Sequence, residues 1–295
     1  MGDLKLIFNG DDLGRALSVN AAIVWAHREG VLTSASLMVT GSAAADAATR
    51  VRECPGLAVG LHLALAGARG ALPACQVPHL LDASGQLPAD PVAAGLACFF
   101  SPVVRSELRR EIIAQFERFL DTGLAPSHVD GHYLIHLHPT VLSIVVPLAE
   151  AYGFHGIRVP RDDLRLALRL DRGRMAVKAT WAAIYALLCR LGGQRLRRST
   201  LAFTDRVYGL LQTGRMHEAF VARLLARIPP SVRSAELYFH PSTEPGDEPY
   251  GPNPGDLAAL LSPRIREAVR TRGATLTDYT ALTAGSQRRV VCPGR

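Results

Sequence analysis

Short runs of branched and aromatic apolar residues recur along this chain, and between them the apolar spacing changes to that of helices. Residues 4–9, 34–39, 57–63, 127–132, 156–160, 201–205, 235–240 and 274–277 carry the strand pattern. Helical spacing fits 18–29, with Ser18 as the expected cap, and then 42–53, 102–122, 139–152, 215–227 and 256–272. A strand–helix alternation repeated this often means parallel strands covered by helices. Seven or eight strands in one order favour a distorted TIM-like (β/α) barrel over two dinucleotide-binding halves. Neither a G-x-G-x-x-G stretch nor a phosphate-cradling glycine loop is present. With no repeat or low-complexity linker, residues 1–295 read as one domain with an apolar, arginine-rich helical insertion around 164–215.

Charge and cysteine usage narrow the function classes. The formal net charge is +7, but the basic residues cluster, as in "GGQRLRRST" (192–200), and aromatics make up only 6%. That argues against nucleic acid, which calls for basic residues interleaved with stacking rings. Five cysteines (Cys54, Cys75, Cys98, Cys189, Cys292) without CxxC spacing fit a reduced, cytoplasmic chain. No uninterrupted run of eighteen apolar residues and no basic-then-apolar leader is seen, so neither a spanning helix nor a secretory signal is expected.

The polar residues that interrupt the strand pattern fall at strand ends. Asp11 and Asp12 follow the first strand in "LIFNGDDLG", and His62 ends "GLHL". Asp130 and His132 end "HVDGH", Arg158 lies in the fifth strand, and His240 closes "ELYFH". In a parallel barrel the carboxyl ends of the strands converge on one face, so these distant residues are expected to meet. Two imidazoles and a carboxylate with open positions form a common divalent-metal set, and Asp12, His62 and His132 are assigned as its ligands. The ion also accounts for two adjacent aspartates, because a dication lets both stay ionised. Asp11 is then free to take a proton from the attacking water, Arg158 to hold Asp11 ionised, and His240 to serve as the acid for the leaving group. Zinc, magnesium, manganese, nickel and cobalt all suit such a set. His136 is read as a supporting or substrate-contacting residue and His138 as a helix opener; alone, an Asp-Asp pair is usually a solvated loop.

The motifs "NGDDLG", "GLHL", "HVDGHYLIHLHPT" and "ELYFHPST" resemble, in order and spacing, those of the YdjC-like carbohydrate deacetylases. "CFFSP", "RVPR", "TDRVYGL" and "YFHPST" are similar to the hopanoid-biosynthesis branch of that family. The resemblance implies a metal-dependent N-deacetylase that turns an N-acetylglucosaminyl hopanoid into a glucosaminyl hopanoid and acetate. It also implies the same ligand set, with Asp11 as base. Tyr133 stands where the family pattern has a histidine. On this reading 164–215 forms a lipid-facing mouth in peripheral contact with the inner membrane. Its competing roles are a helix packed on the barrel or a homodimer interface. Soluble chitooligosaccharide deacetylation and a non-catalytic sugar- or lipid-binding barrel are the alternatives.

Overall fold

The computed structural model describes residues 4–246, 248 and 250–287, so Cys292 lies outside the described residues. One parallel sheet contains β1 (Leu4–Leu13), β2 (Ser34–Leu37), β3 (Ala58–Leu63), β4 (Pro126–Gly131), β5 (Gly156–Ile157), β6 (Arg206–Tyr208), β7 (Ser234–Phe239) and β8 (Ala274–Leu276). The order across it is β5-β4-β3-β2-β1-β7-β6. β7 pairs with β1 along Lys5–Gly10, so β8 (opposite Leu4–Leu6) and β2 (opposite Asn9–Leu13) share the other edge of β1 end to end. The sheet curls until a parallel bridge joins Gly156 to Ala202, nearly closing a distorted barrel.

The helices are α1 (Leu17–Glu29), α2 (Ala44–Arg52), α3 (Pro91–Phe100), α4 (Pro102–Asp121), α5 (Pro139–Ala151), α6 (Leu164–Leu170), α7 (Met175–Arg198), α8 (Glu218–Leu225), α9 (Pro254–Leu261), α10 (Pro263–Thr271) and α11 (Tyr279–Gln287). Several boundaries depart from the sequence reading, β5 ending at Ile157 just before Arg158 among them, and three have a visible cause. α1 begins at Leu17 with Ala16 as its N-cap, two residues before Ser18, and Ser18 makes no side-chain cap. The expected helix 256–272 is two helices, because Pro263 has no N–H to continue α9 and Ser262 caps the N–H groups of Arg264 and Ile265. The expected strand 201–205 shrinks to the Ala202 bridge, and regular pairing begins only at Arg206. There Thr204 Oγ1 donates to the Arg206 carbonyl, and Asp205 accepts from the backbone N–H of Arg233, so both side chains bind local backbone instead of extending a ladder.

Strand alternation divides the residues into two sets. Leu6, Phe8, Leu61, Val129 and Leu237 point to the helices and are wholly buried. Their neighbours Asn9, Asp11, Ser36, His62, Asp130, Glu236 and Tyr238 turn inward, so the barrel interior is polar. Burying that many polar groups is tolerable only if they satisfy one another. Below them Tyr279 of α11 plugs the barrel, its ring 4.7 Å from that of His128 and its hydroxyl donating to Glu236 Oε2 at 2.6 Å.

Candidate active site

Two consecutive residues of a regular strand would point to opposite faces. The pairing of β1 with β2 shifts register between Gly10 and Leu13, and Asp12 takes a left-handed backbone (φ 65°). This bulge turns both carboxylates into the same space. Arg158 donates to Asp11 bidentately, Nη1 to Oδ2 and Nη2 to Oδ1, both at 2.7 Å. Asn9 Nδ2 adds a bond to Oδ1 at 2.8 Å. Oδ1 thus spends both lone pairs, while Oδ2 keeps one.

Arg158 is wholly buried, and its guanidinium also meets Asp130 at 2.8 Å and Glu236 at 2.7 Å. Burial alone would depress its pKa, but the three carboxylates push it well above the usual value. Its face lies 4.6 Å over the Tyr238 ring, and its carbonyl is 2.9 Å from His136 Nε2. Burial drives the pKa of His136 down to about 4, so this ring is a neutral prop.

His62 Nδ1 donates to Asp130 Oδ1 at 2.8 Å, which fixes the tautomer and aims Nε2 at Asp12 Oδ1, 3.4 Å away. Asp130 in turn accepts from Ser36 Oγ at 2.7 Å. Against burial, Asp130, Asp12 and Asp11 raise the His62 pKa to about 10. His132 Nδ1 lies 3.2 Å from Asp12 Oδ1. Burial would raise the Asp12 carboxyl, but His132, His62 and His240 together hold it well below the carboxylate range. Asp12 Oδ1 and His132 Nε2 are buried and make no hydrogen bond. Ligand atoms of Asp12, His62 and His132 all lie within 4.8 Å of one another. Asp11, His62 and Asp130 form a second such group, but there the Arg158 guanidinium already supplies the positive charge. Buried atoms without hydrogen bonds and converging donors make the first group the one that fits a divalent cation, while Arg15 Nη1, 3.2 Å from Asp12 Oδ2, holds the other oxygen of that carboxylate.

His240 arrives from the end of β7, with Nε2 3.9 Å from Asp11 Oδ2; its backbone N–H donates to the buried Asp256. All seven strand-end residues singled out in the sequence are therefore within this one cluster. Sequence reasoning missed Glu236, Asn9, Ser36 and Tyr238 as members. The signal was present in "ELYFH", where Glu236, Tyr238 and His240 alternate and so share a face. His136 supports Arg158, and His138 opens α5 at the cavity wall.

Above the cluster a cavity of about 690 Å³ opens to solvent. Asp11, Asp12, His62, His132 and His240 form its floor, while Val92 and Leu96 of α3 and Trp181, Ile184 and Leu188 of α7 line it higher up. Tyr185 of α7 donates to the Tyr133 carbonyl at 3.0 Å, tying this wall to the turn that carries His132.

A family model described as YdjC-like protein matches residues 5–271. The chain belongs to the YdjC-like family. This YdjC-like chain is 34% identical over 282 residues to a carbohydrate deacetylase of Vibrio cholerae, covering 95% of this chain and 96% of that one. It is 30% identical over 288 residues to a chitooligosaccharide deacetylase of Klebsiella pneumoniae, covering 93% and 97%. With a carbohydrate deacetylase of Brevibacillus brevis identity reaches 42%, over 149 residues that span 50% of this chain and 57% of that relative. A crystal structure from Enterococcus faecalis V583, of a protein named for cellobiose-phosphate cleavage, shares the fold at a TM-score of 0.74 and 24% identity, covering 95% of this chain and 99% of that one.

Proposed function

We propose that this YdjC-like protein is a metal-dependent N-deacetylase that hydrolyses the acetamide of an N-acetylated amino sugar to the free amine and acetate. The observation that carries this reading is Asp12 with His62 and His132, three converging donors beside a carboxylate that a buried arginine holds in place. Asp12, His62 and His132 would hold the ion, which supplies Lewis acidity toward the amide carbonyl and toward water. The chain's own residues do the rest. Asp11 accepts the proton of the attacking water on Oδ2, the oxygen with a free lone pair. Arg158 keeps Asp11 ionised and fixed, so the base is aimed before substrate arrives. His240, facing the same Oδ2, gives a proton to the departing nitrogen.

The finer reading is an N-acetylglucosaminyl group on an apolar aglycone, with the hopanoid glycolipid as the candidate. Its support is the cavity wall: Val92, Leu96, Trp181, Ile184 and Leu188 offer apolar surface next to the polar floor. Deacetylation of soluble chitooligosaccharides uses every one of the same catalytic groups, and the relatives' names favour it. Mass spectrometry of acetyl loss from N-acetylglucosaminyl lipids and chitooligomers, with and without chelator, separates the two. Preferential, chelator-sensitive turnover of the lipids is expected; equal or better turnover of chitobiose moves the assignment to the soluble sugar, and no acetate from either removes the enzyme reading. In D11N we expect bound metal to remain and turnover to fall about 10²–10⁴-fold. A D11N protein that elutes without metal would mean that Asp11 is a ligand.

A further inference from the structure

The chain's charge is not spread over its surface. Residues 161–198 hold ten of the 33 Lys and Arg and only three of the 26 Asp and Glu. This segment alone therefore carries the entire net charge of +7, and the remainder of the chain is balanced. It is the α6–α7 region. Lys178 is buried and neutralised by Asp171, at 2.9 Å. The arginines of the segment form no ion pair among the described residues.

The same helix exposes its apolar side chains. α7 contains an 18-residue window of mean hydropathy 1.2, of which only 17% is buried. That is long and apolar enough to cross a membrane, where the sequence reading expected no such helix. Leu187 and Leu191 are 56% and 59% exposed, and Met175, Val177 and Ile184 are exposed beside them. Val92 and Leu96 of α3, 67% and 55% exposed, continue the patch across the cavity mouth. Between Met175 and Leu191 the only exposed charge on α7 is Arg190. Arg172 and Arg174 precede that stretch, and Arg195, Arg197 and Arg198 follow it.

On the other side of α7 a groove of about 750 Å³ is lined by Arg161, Arg165, Arg190, Arg197 and Arg206. The acids on that groove are Asp162 and Asp163. Asp162 accepts from the backbone N–H groups of Asp163 and Leu211, and Asp163 caps α6. Both are turned to backbone, so the arginines dominate the groove.

A long apolar face bracketed by arginines, beside an arginine-lined groove, has the composition of a helix lying in the plane of a bilayer interface, its apolar side among acyl chains and its cations near phosphates. Spanning is disfavoured because Gly192, Gly193 and Leu196 of α7 are buried against the fold. We infer that α7, with the exposed edge of α3 and the arginine groove, docks this protein on an anionic lipid bilayer, with the catalytic cavity opening at the membrane surface. The docking itself does not depend on the proposed chemistry.

The test is flotation of the full chain with vesicles of phosphatidylcholine alone or with phosphatidylglycerol added. Wild type is expected to float with the anionic vesicles, to stay behind with the neutral ones, and to be released by high salt. L187D/L191D alters two side chains that line neither cavity, and should reduce flotation about tenfold or more while keeping the wild-type circular dichroism and thermal midpoint. R190Q/R197Q/R198Q leaves the apolar face intact and should lose the preference for anionic vesicles, which keeps the test decisive if the aspartates disturb folding. Wild type failing to float with anionic vesicles, or both variants floating like wild type, overturns the inference. So does a wild-type dimer in sedimentation that L187D/L191D converts to monomers, since a second copy would then cover the face. Flotation reads no acetate, so failure of the deacetylase reading leaves its result untouched.

Discussion

Asp130 joins the two halves of the site. One oxygen orients His62 and the other meets Arg158. Replacing it by asparagine at constant shape should loosen both, and metal affinity is expected to fall about 10–100-fold, as for other carboxylates that orient a ligating histidine. Chelator-competition titration measures this. His62 also predicts a pH dependence. In the metal-free protein it holds its proton up to about pH 10 because Asp130, Asp12 and Asp11 surround it. A cation binding there must displace that proton. The apparent affinity should therefore rise by about tenfold per pH unit between pH 6.5 and 9. Calorimetry in buffers of different ionisation heat would detect about one proton released per ion bound. No proton release would mean that His62 is not a ligand.

At the scale of elements, the site depends on how closely β3 and β4 approach. A Cβ on Gly60 would lie 2.4 Å from the His128 carbonyl oxygen and 2.5 Å from the His128 ring, so the strands pair only because glycine is there. G60A should force them apart, costing about 1–3 kcal/mol. His62 and Asp130 are register partners in this same pair, so bound metal should drop as well. Denaturant midpoints and metal content of the purified variant check both effects; an unchanged midpoint would show that the strands accommodate the methyl. The misread boundaries also belong to this scale. Helix 256–272 was wrong because apolar spacing runs on through Ser262-Pro263, although the cap and the missing N–H break the helix there. Ser18 looks like a cap because residue type cannot show that the chain turns into α1 two residues earlier.

The whole molecule places apolar side chains against the helices and a paired polar network within the barrel, and stability should follow the protonation of that network. Burial holds His128 and His136 at about 4. Between pH 6.5 and 4 the unfolded chain protonates these two histidines and the folded one does not. Their contribution is therefore intact above 6.5 and is lost as the pH falls toward 4. Other buried acids titrate nearby, Asp162 being pushed up to about 6 by burial and acting in the opposite sense, so the clean measurement is a difference. H136Q keeps an N–H donor for the Arg158 carbonyl but removes one titration. Its stability should fall less steeply than wild type over this range, by up to about 1.4 kcal/mol per pH unit. Parallel curves in denaturant melts at several pH values would show that His136 titrates normally.

The strand–helix alternation, the inward period of "HVDGH" and "ELYFH", and the strand-end positions of Asp11, Asp12, His62, His132, Arg158 and His240 were legible in the linear chain, because periodicity and chain order are local properties. Glu236 was equally visible as an alternating polar residue, but its importance was not, since its partners Arg158 and Tyr279 lie 78 and 43 positions away. Only the tertiary structure decided that one guanidinium serves three carboxylates, that a bulge with a left-handed Asp12 turns two adjacent carboxylates the same way, and that α7 leaves its apolar face uncovered beside the cavity. Each of these depends on what long-range packing brings close, and sequence spacing holds no record of that distance.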